Sequence, residues 1–578
     1  MSDINTDRKM VGLTRCQFNF FVCLSILWLA CCFSLFIPKI RNFIIKFGEI
    51  LAHRPLNHPM WHEIFISIGI GGIVLYVFFG LFLTNFIFPK ISGKISNIFA
   101  ITFSLVFVFI IMYKANWIFG DDLLFVSSTA VNKYIPISGF LVSGRFYPFG
   151  VIHYNLLLFS FRCLGINTGV PTEVHFAVTS IFFMVTFFCL YFLFESIDPV
   201  KPKSVYSVFN LFFVCTFFLI GSSFSYTFLY LIFPETPVIM LFAVFMLMYN
   251  KALKTDKIRY YIAAFLSAVY STYCKEPVFG IFLSIAFVNY LLRHNKKSKR
   301  EKIFYMALIA NSVLFLILYY FLSFKNASGF YNEGRVSING FEFVLSIVRG
   351  NPVLIIMFCF GLIRLYSVIA KKERCYLFYD SLLFAGIAYV FAFFVLHLNA
   401  GYYFLPSIIL FLPSLVHCIK YLYENKRIFA VALIVILIPL YANNYFQTTA
   451  SIRDTWRQRQ EFMPYITNLL SDYNDGKEFI WYETDNRVTN NSFYIVTRGY
   501  KKYVENAFLN YLNKSEGKDF FVVEKSTDNI TLNQNILFFY PVDNDQWQPM
   551  RDELAKILQD KNFALYKDSY EVLIYKQY

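Results

Sequence analysis

Apolar runs of roughly 17 to 25 residues follow one another through the first 446 positions, and they constrain this chain more than any other feature. Bilayer hydrocarbon offers no water to backbone N–H and C=O groups. A lipid-facing run of that length must therefore close its own hydrogen bonds as a helix. Read as spans, the runs lie near 18–37, 64–88, 98–112, 174–194, 205–222, 236–249, 260–273, 278–292, 303–322, 353–370, 377–396, 403–418 and 428–441, about thirteen in all. The expected fold class is mainly α, a polytopic helical membrane protein. The stretch after Pro38 is read as a basic, His-containing loop, and 89–94 as a short link. Pro234 and Pro237 interrupt the apolar segment 224–237, as in a broken or re-entrant helix lining a protected cavity.

Composition excludes the main rival explanation of the charge. Hydrophobic residues make up 57% of the chain and charged ones 15%, against roughly 45–50% and 25% in soluble domains. A net charge of +15 would suit nucleic acid if it formed a patch, but the cations sit in short links between spans, where they orient a protein in its membrane. Lys201 and Lys203, Lys251 to Arg259, Arg293 to Lys302, Lys371 to Arg374, and Lys420 to Arg427 all fall on links expected to face the cytoplasm. Two links on the other side, with Lys39, Arg41, Lys46 and Arg54 and with Lys325, Arg335 and Arg349, are basic against this bias. The polar start 1–15 is too long and too acidic for a signal peptide, so the first run is read as a retained span with its N-terminus inside. The 11 cysteines are scattered, without a CxxC pair, and read as small core hydrophobes.

Two domains are expected, a multi-span region 1–446 and an extracytoplasmic α/β domain 447–578. In the second, charges become frequent and no stretch is able to cross a bilayer. Periodicity predicts a helix over 453–470, strands at 478–482, 493–497, 520–523 and 536–539, a helix over 546–560, and a hairpin of 564–566 with 572–575. Neither a nucleotide-binding fingerprint nor a GxSxG elbow occurs there.

Ionisable residues at the outer ends of greasy spans are costly and mark function. Asp121 and Asp122 open the loop after the 98–112 run, and Arg145, Phe146, Tyr147 and His153 follow as a surface suited to headgroups and phosphate. Glu235 lies between Pro234 and Pro237, and Lys275 and Glu276 precede Pro277. Plainer readings stand beside these. The Asp pair is able to cap an interfacial helix, Lys275 and Glu276 to pair with each other, Glu235 to reach water from a bend, and Arg145 to anchor at headgroups. His53, His58 and His62 have spacings a metal would accept, but lack a carboxylate pattern around them.

An acidic residue or pair just after a span, further outer acids, a Lys-Glu step, many spans and an outer terminal domain together resemble the GT-C superfamily of polyprenyl-phosphate-sugar-dependent glycosyltransferases. Within it, the layout is most similar to bacterial enzymes that decorate O-antigen, including serotype-converting glucosyltransferases. Two spans precede the one that delivers the acidic loop, whereas many relatives place it after the first. The resemblance implies an inner-membrane enzyme with a periplasmic terminal domain, moving a sugar from a polyprenyl-phosphate donor to a lipopolysaccharide-type glycan. A flippase and a donor-lipid synthase are its implied partners, besides the bilayer. It also implies Asp121 or Asp122 as general base, Lys275, Arg145 and Arg349 near the phosphate, and Glu235 and Glu276 orienting acceptor or cation. Metal use varies across the superfamily, and the sequence carries no metal motif. A polysaccharide polymerase would favour Arg-rich central loops, and a flippase or transporter would favour mid-span charges and internal repeats.

The charge bias generates a direct expectation. A periplasmic reporter fused after Gly517 should be active and one fused after Lys297 inactive. The reverse pattern would move the Asp121 loop to the cytoplasm.

Overall fold

The computed structural model describes residues 26–52, 61–62, 65–66, 69, 89–115, 122–130, 132–136, 141, 144–167, 169–197, 227–229, 231, 234–291, 298–326, 344, 351, 353–370, 377–396, 401–425, 448, 452, 455–456, 459, 478–483, 520–524, 534–539, 556, 559, 562–569 and 572–577. Of the expected elements, the spans 205–222 and 428–441, most of 64–88, the strand 493–497 and most of the helices 453–470 and 546–560 lie outside these residues.

Proline shapes the first part of the chain. Helix α1, Ile26–Ser34, meets α2, which begins at Pro38 and ends at Ala52, at a bend of 83°. Pro38 lacks a backbone N–H and restricts the residue before it, so the chain leaves its first axis there. This corrects the expectation of a basic loop after Pro38. Arg41 and Ile45 turn inward while Phe43, Phe47 and Ile50 stay exposed. Arg41 donates to Nδ1 of His62 at 3.0 Å and to the Leu35 carbonyl at 2.8 Å. His62 is thus engaged structurally, and His53 and His58 lie outside the described residues. A second correction concerns 89–94. This expected link is the first turn of α3, Pro89–Met112, where a proline costs no helical hydrogen bond.

Three helices follow on the way to the bundle: α4, Asp122–Ala130; α5, Ile152–Cys163; and α6, Thr172–Ser196. The bundle continues with α7, Glu235–Thr255; α8, Ile258–Cys274; α9, Val278–Leu291; α10, Lys299–Leu322; α11, Val353–Ile369; α12, Leu377–Val395; and α13, Leu405–Asn425. Their apolar runs match the expected spans to within a few residues, because burial between helices and contact with lipid both demand the same side chains. Among the described residues, five helices are long and apolar enough to cross a membrane, or six if the bent α1–α2 pair is one span. Shorter apolar helices at Asn97–Met112, Val278–Tyr290 and Val353–Ile369 coincide with three more of the thirteen expected.

Packing orders these helices from centre to rim. In the Gly401–Leu422 segment 72% of the most apolar stretch is buried, against 28% for Lys299–Asn326, which places α13 centrally and α10 at the edge. Helix α7 packs on α6, α8 and α13, and α12 packs on α9, α11 and α13. Small residues set the closest approaches, as expected where van der Waals contact drives association. A Cβ on Gly361 of α11 would stand 2.4 Å from Ile387 Cδ1 of α12.

Several polar groups inside the bundle are paired with one another. Tyr305 donates to Glu301, Tyr249 and Tyr305 hydroxyls lie 2.8 Å apart, and Asn289 donates to Tyr249. Lys420 donates to the carbonyls of Phe194 in the last turn of α6 and Ile197 just past it. Arg364 and Asp380 form a two-bond pair at 2.9 Å linking α11 to α12.

In the tail, β1 (Glu478–Glu483), β2 (Phe520–Glu524), β3 (Gln534–Phe539), β4 (Phe563–Ser569) and β5 (Val572–Gln577) form a sheet of order β2-β1-β3-β5-β4. β1 is parallel to β2 and β3, whereas β3–β5 and β4–β5 are antiparallel. The expected hairpin is the β4–β5 pair.

The link between α5 and α6 gives the fold's sharpest backbone requirement. Gly169 has φ +89, and a Cβ there would lie 2.1 Å from the Ala130 carbonyl oxygen. Val170 donates to the Thr129 carbonyl at 3.1 Å, locking this approach. Gly169→Ala should therefore lower stability by about 1–3 kcal/mol, read as a lower unfolding midpoint in detergent, while Gly280→Ala, which meets no atom within 4 Å, should not.

Candidate functional site

The loop 275–277 between α8 and α9 is short because Pro277 sits at its end, and it delivers two adjacent side chains to different partners. Lys275 forms an ion pair with Glu235, the first residue of α7. Glu276 takes Nε of Arg145 at 2.8 Å and Nη2 at 3.4 Å, together with the Phe146 backbone N–H at 3.1 Å. The local Lys275–Glu276 pairing weighed from the sequence is not formed. Positions 130 and 131 residues apart along the chain meet instead.

Burial makes both pairs consequential. Lys275 is 3% exposed and Glu235 1%, so neither carries its charge without the other. The Lys275 ammonium also lies 4.3 Å from the Tyr403 ring centroid and 5.8 Å from that of Phe393, within reach of cation–π attraction. Arg145 lies beside the Tyr147 ring at 5.0 Å. Burial alone would raise the Glu276 carboxyl, but the Arg145 guanidinium and two backbone N–H groups outweigh it and hold the pKa below the ordinary value. Arg145 responds in kind: burial opposes its charge, Glu276 overcomes that, and the guanidinium is held more firmly protonated.

Leu141 and residues 144–150 are docked, not splayed on a surface. Ser323, at the end of α10, donates to the carbonyls of Leu141 and Arg145, and Tyr319 donates to Gly144. Phe149 N–H reaches the Tyr273 carbonyl at 3.0 Å. Phe146, expected at the headgroup surface with Tyr147, is 5% exposed and packs with Tyr273 and Phe315; Tyr147 is 8% exposed. Both rings are core, because the ends of α8 and α10 offer apolar surface next to the loop. His153 is stacked on Tyr154 at 4.1 Å, and burial, with His175 nearby, pushes its imidazole down to about 3. It is neutral at physiological pH and is no phosphate cation.

One end of the bundle therefore gathers Glu235, Lys275, Glu276 and Arg145 with Tyr403 of the turn Gly401–Phe404. Asn351 donates to the Gly401 carbonyl of this turn at 3.4 Å. Arg349 lies outside the described residues, as does Asp121; Asp122 opens α4, though its side chain is not described. A helix that starts at Asp122 suits both the capping and the catalytic reading of the pair. Helix α4 packs on α5 and α6, and Thr129 near its end lies 3.1 Å from Nε2 of His175.

Two buried groups here have unused hydrogen-bonding capacity. Beyond the ion pair with Lys275, neither carboxylate oxygen of Glu235 has a hydrogen-bond partner among the described residues, and neither does the hydroxyl of Tyr389 on α12. Tyr389 lies in the electrostatic neighbourhood of Glu276 and Tyr403. Sequence reasoning missed it, since nothing local separates it from the chain's other tyrosines; only the register of α12 on α13 selects it. Among the described residues no group of three or more His, Cys, Asp or Glu is placed to hold a metal ion.

No protein-family model matches the chain, and no curated protein matches it. Among solved structures it is similar to ArnT from Cupriavidus metallidurans in the apo state and bound to undecaprenyl phosphate. These share 10% identity and TM-scores of 0.42 and 0.41, over 83% of this chain and 97% of theirs. It is also similar to the archaeal oligosaccharyltransferase AglB from Archaeoglobus fulgidus in complex with an inhibitory peptide and a dolichol-phosphate. That match has 12% identity and a TM-score of 0.36, over 83% of this chain and 74% of the other. At these TM-scores the likeness carries no weight for fold or activity.

The Arg145–Glu276 pair should be measurable as a coupling. A double-mutant cycle with Arg145→Gln and Glu276→Gln should give about 1.5–3 kcal/mol, the range for hydrogen bonds to charged groups. Because the folded Glu276 pKa is depressed, its contribution is present above the ordinary carboxylate range and is lost as pH falls through the lower folded value. Unfolding midpoints in detergent should thus fall less steeply on acidification for Glu276→Gln than for the wild type.

Proposed function

We propose that this chain is a membrane glycosyltransferase of the GT-C type. It moves a sugar from a polyprenyl-phosphate-linked donor to a cell-surface glycan of the O-antigen or lipopolysaccharide type, on the outer face of a bacterial inner membrane. The observation that carries this reading is the end of the bundle where Lys275 and Arg145 are each held by a carboxylate, and where Glu235, beyond its ion pair, and the Tyr389 hydroxyl keep hydrogen-bonding capacity unused among the described residues. Buried polar groups without partners are rare, and a ligand bearing hydroxyls and phosphate would satisfy them. The resemblance read from the sequence supports the same class.

The reaction makes definite demands on these residues. The acceptor hydroxyl oxygen attacks the anomeric carbon of the donor sugar, and its proton passes to the carboxylate of Asp121 or Asp122. The bond from that carbon to the phosphate oxygen breaks, and its electron pair leaves with the polyprenyl phosphate. Lys275, Arg145 and Arg349 meet the charge growing on the phosphate in a site poor in water, where fixed cations are most effective. Glu235 and Glu276 aim these cations, and Glu235 also accepts from an acceptor hydroxyl. A single displacement inverts the anomeric centre. The terminal domain 447–578 lies on the same face and contributes to acceptor recognition. A flippase and a donor-lipid synthase supply the donor.

The test is a pair of isosteric changes. Asp121→Asn and Asp122→Asn keep size and much of the hydrogen bonding but cannot take a proton at neutral pH. Both should insert and accumulate, and one should lose transfer by about 10²–10⁴-fold, roughly 3–5 kcal/mol of barrier, with the other milder. The assay follows sugar release from a polyprenyl-phosphate donor in purified membranes with acceptor polysaccharide. Wild-type transfer in both variants would return the loop to a capped helix.

A further inference from the structure

The last turn of a helix leaves carbonyls without partners, and in an apolar setting they need donors from elsewhere. At the end of α3 those donors come from a segment more than 340 residues away. Trp456 Nε1 donates to the Ile110 carbonyl at 3.2 Å. Nη1 of Arg459 donates to the carbonyls of Ile111 at 2.8 Å and Tyr113 at 3.0 Å. Lys114 then turns the chain with φ 44.

The same guanidinium reaches a second strand of chain. Nη2 of Arg459 donates to the Leu229 carbonyl at 2.9 Å. Leu229 belongs to a helical turn, 227–229, whose Thr227 carbonyl accepts from the Thr236 hydroxyl at 2.9 Å. Thr236 is the neighbour of Glu235. The guanidinium carbon lies 4.4 Å from the Phe176 ring centroid on α6, and the Arg459 side chain is fully buried. One planar group thus bridges the exit of α3, the entry to α7 and the start of α6. Its rigid fork of donors reaches carbonyls on separate stretches of chain at once, which a lysine's single nitrogen spans less well.

We propose that Arg459 is a positioning residue. It fixes the end of α3, from which the chain runs on to Asp121 and α4, relative to the Glu235 end of α7, so that the segment around Arg459 sets the geometry of the site in the membrane bundle. This deepens the glycosyltransferase reading and rests on it for the word site; the clamp itself is a structural statement that stands apart. Arg459 makes no part of the reaction, so its loss should lower turnover while donor KM stays within about twofold, and a misplacement near 1 Å costs on the order of 10²-fold.

The experiment separates the clamp from the chemistry. The Tyr113 and Trp456 rings lie 4.8 Å apart, so Tyr113→Cys with Trp456→Cys should be bridged by a short bifunctional thiol-reactive cross-linker in the full-length protein, scored by mass spectrometry. Adding Arg459→Gln should cut that yield at least about fivefold, and Arg459→Lys should leave an intermediate yield, in keeping with the poorer fork of lysine. In the otherwise unaltered chain, Arg459→Gln should lower turnover about 10–100-fold, with Arg459→Lys restoring part of it. If Arg459→Gln does not accumulate, the Arg459→Lys chains decide by the same two readouts. An unchanged cross-link yield in the variants overturns the clamp, whatever happens to activity. A lowered yield with wild-type transfer overturns the positioning role. A lowered yield, in a protein whose wild type transfers no sugar, keeps the clamp and removes the glycosyltransferase reading instead.

Discussion

The buried ion pair of Lys275 with Glu235 depends on two helices ending at the same level, and much else at that end of the bundle depends on the pair. Neither charge is tolerable alone among apolar side chains; together, with the face of the Tyr403 ring beside the ammonium, they are. The pair joins the start of α7 to the end of α8. Those helices and α13 are consequently fixed against one another where the site lies. Arg145 and Glu276 repeat the arrangement one residue further on and bring in residues 144–150.

The opposite end of the bundle uses the same physics without the same consequence. Arg364 with Asp380, and Lys420 with the carbonyls of Phe194 and Ile197, use their charges on partners that leave little unsatisfied. At the Lys275 end, by contrast, Glu235 and Tyr389 keep unused hydrogen-bonding capacity inside the protein. Such capacity is costly to hold and is expected where a polar ligand comes and goes.

Membrane helices also need their ends closed. Arg459 does this for α3, and its further bond to the Leu229 carbonyl ties the same segment to the chain entering α7. The stretch around Trp456 and Arg459 is then connected to the bundle by more than chain continuity. A domain on one face of the membrane can influence chemistry at the ends of spans only through such links, since apolar packing alone leaves rotation about a helix axis cheap.

Helix positions were legible because their cause is local. A long apolar run has one way to satisfy its backbone in lipid, so α6 to α10 fall where hydropathy places them. The β4–β5 hairpin was legible from alternation for the same reason. The acids and cations at one end, Glu235, Lys275, Glu276 and Arg145, were visible because charge next to an apolar run is rare. Their partnership was not visible: adjacency suggested that Lys275 and Glu276 pair, whereas the turn before Pro277 sends them to Glu235 and Arg145. Proline misled in the other direction at Pro38 and Pro89, where it starts helices instead of making loops. Tyr389 and Arg459 could only be found in three dimensions. Their roles arise from which carbonyls, rings and carboxylates other helices bring to them, and that depends on packing register, to which no stretch of neighbouring sequence refers.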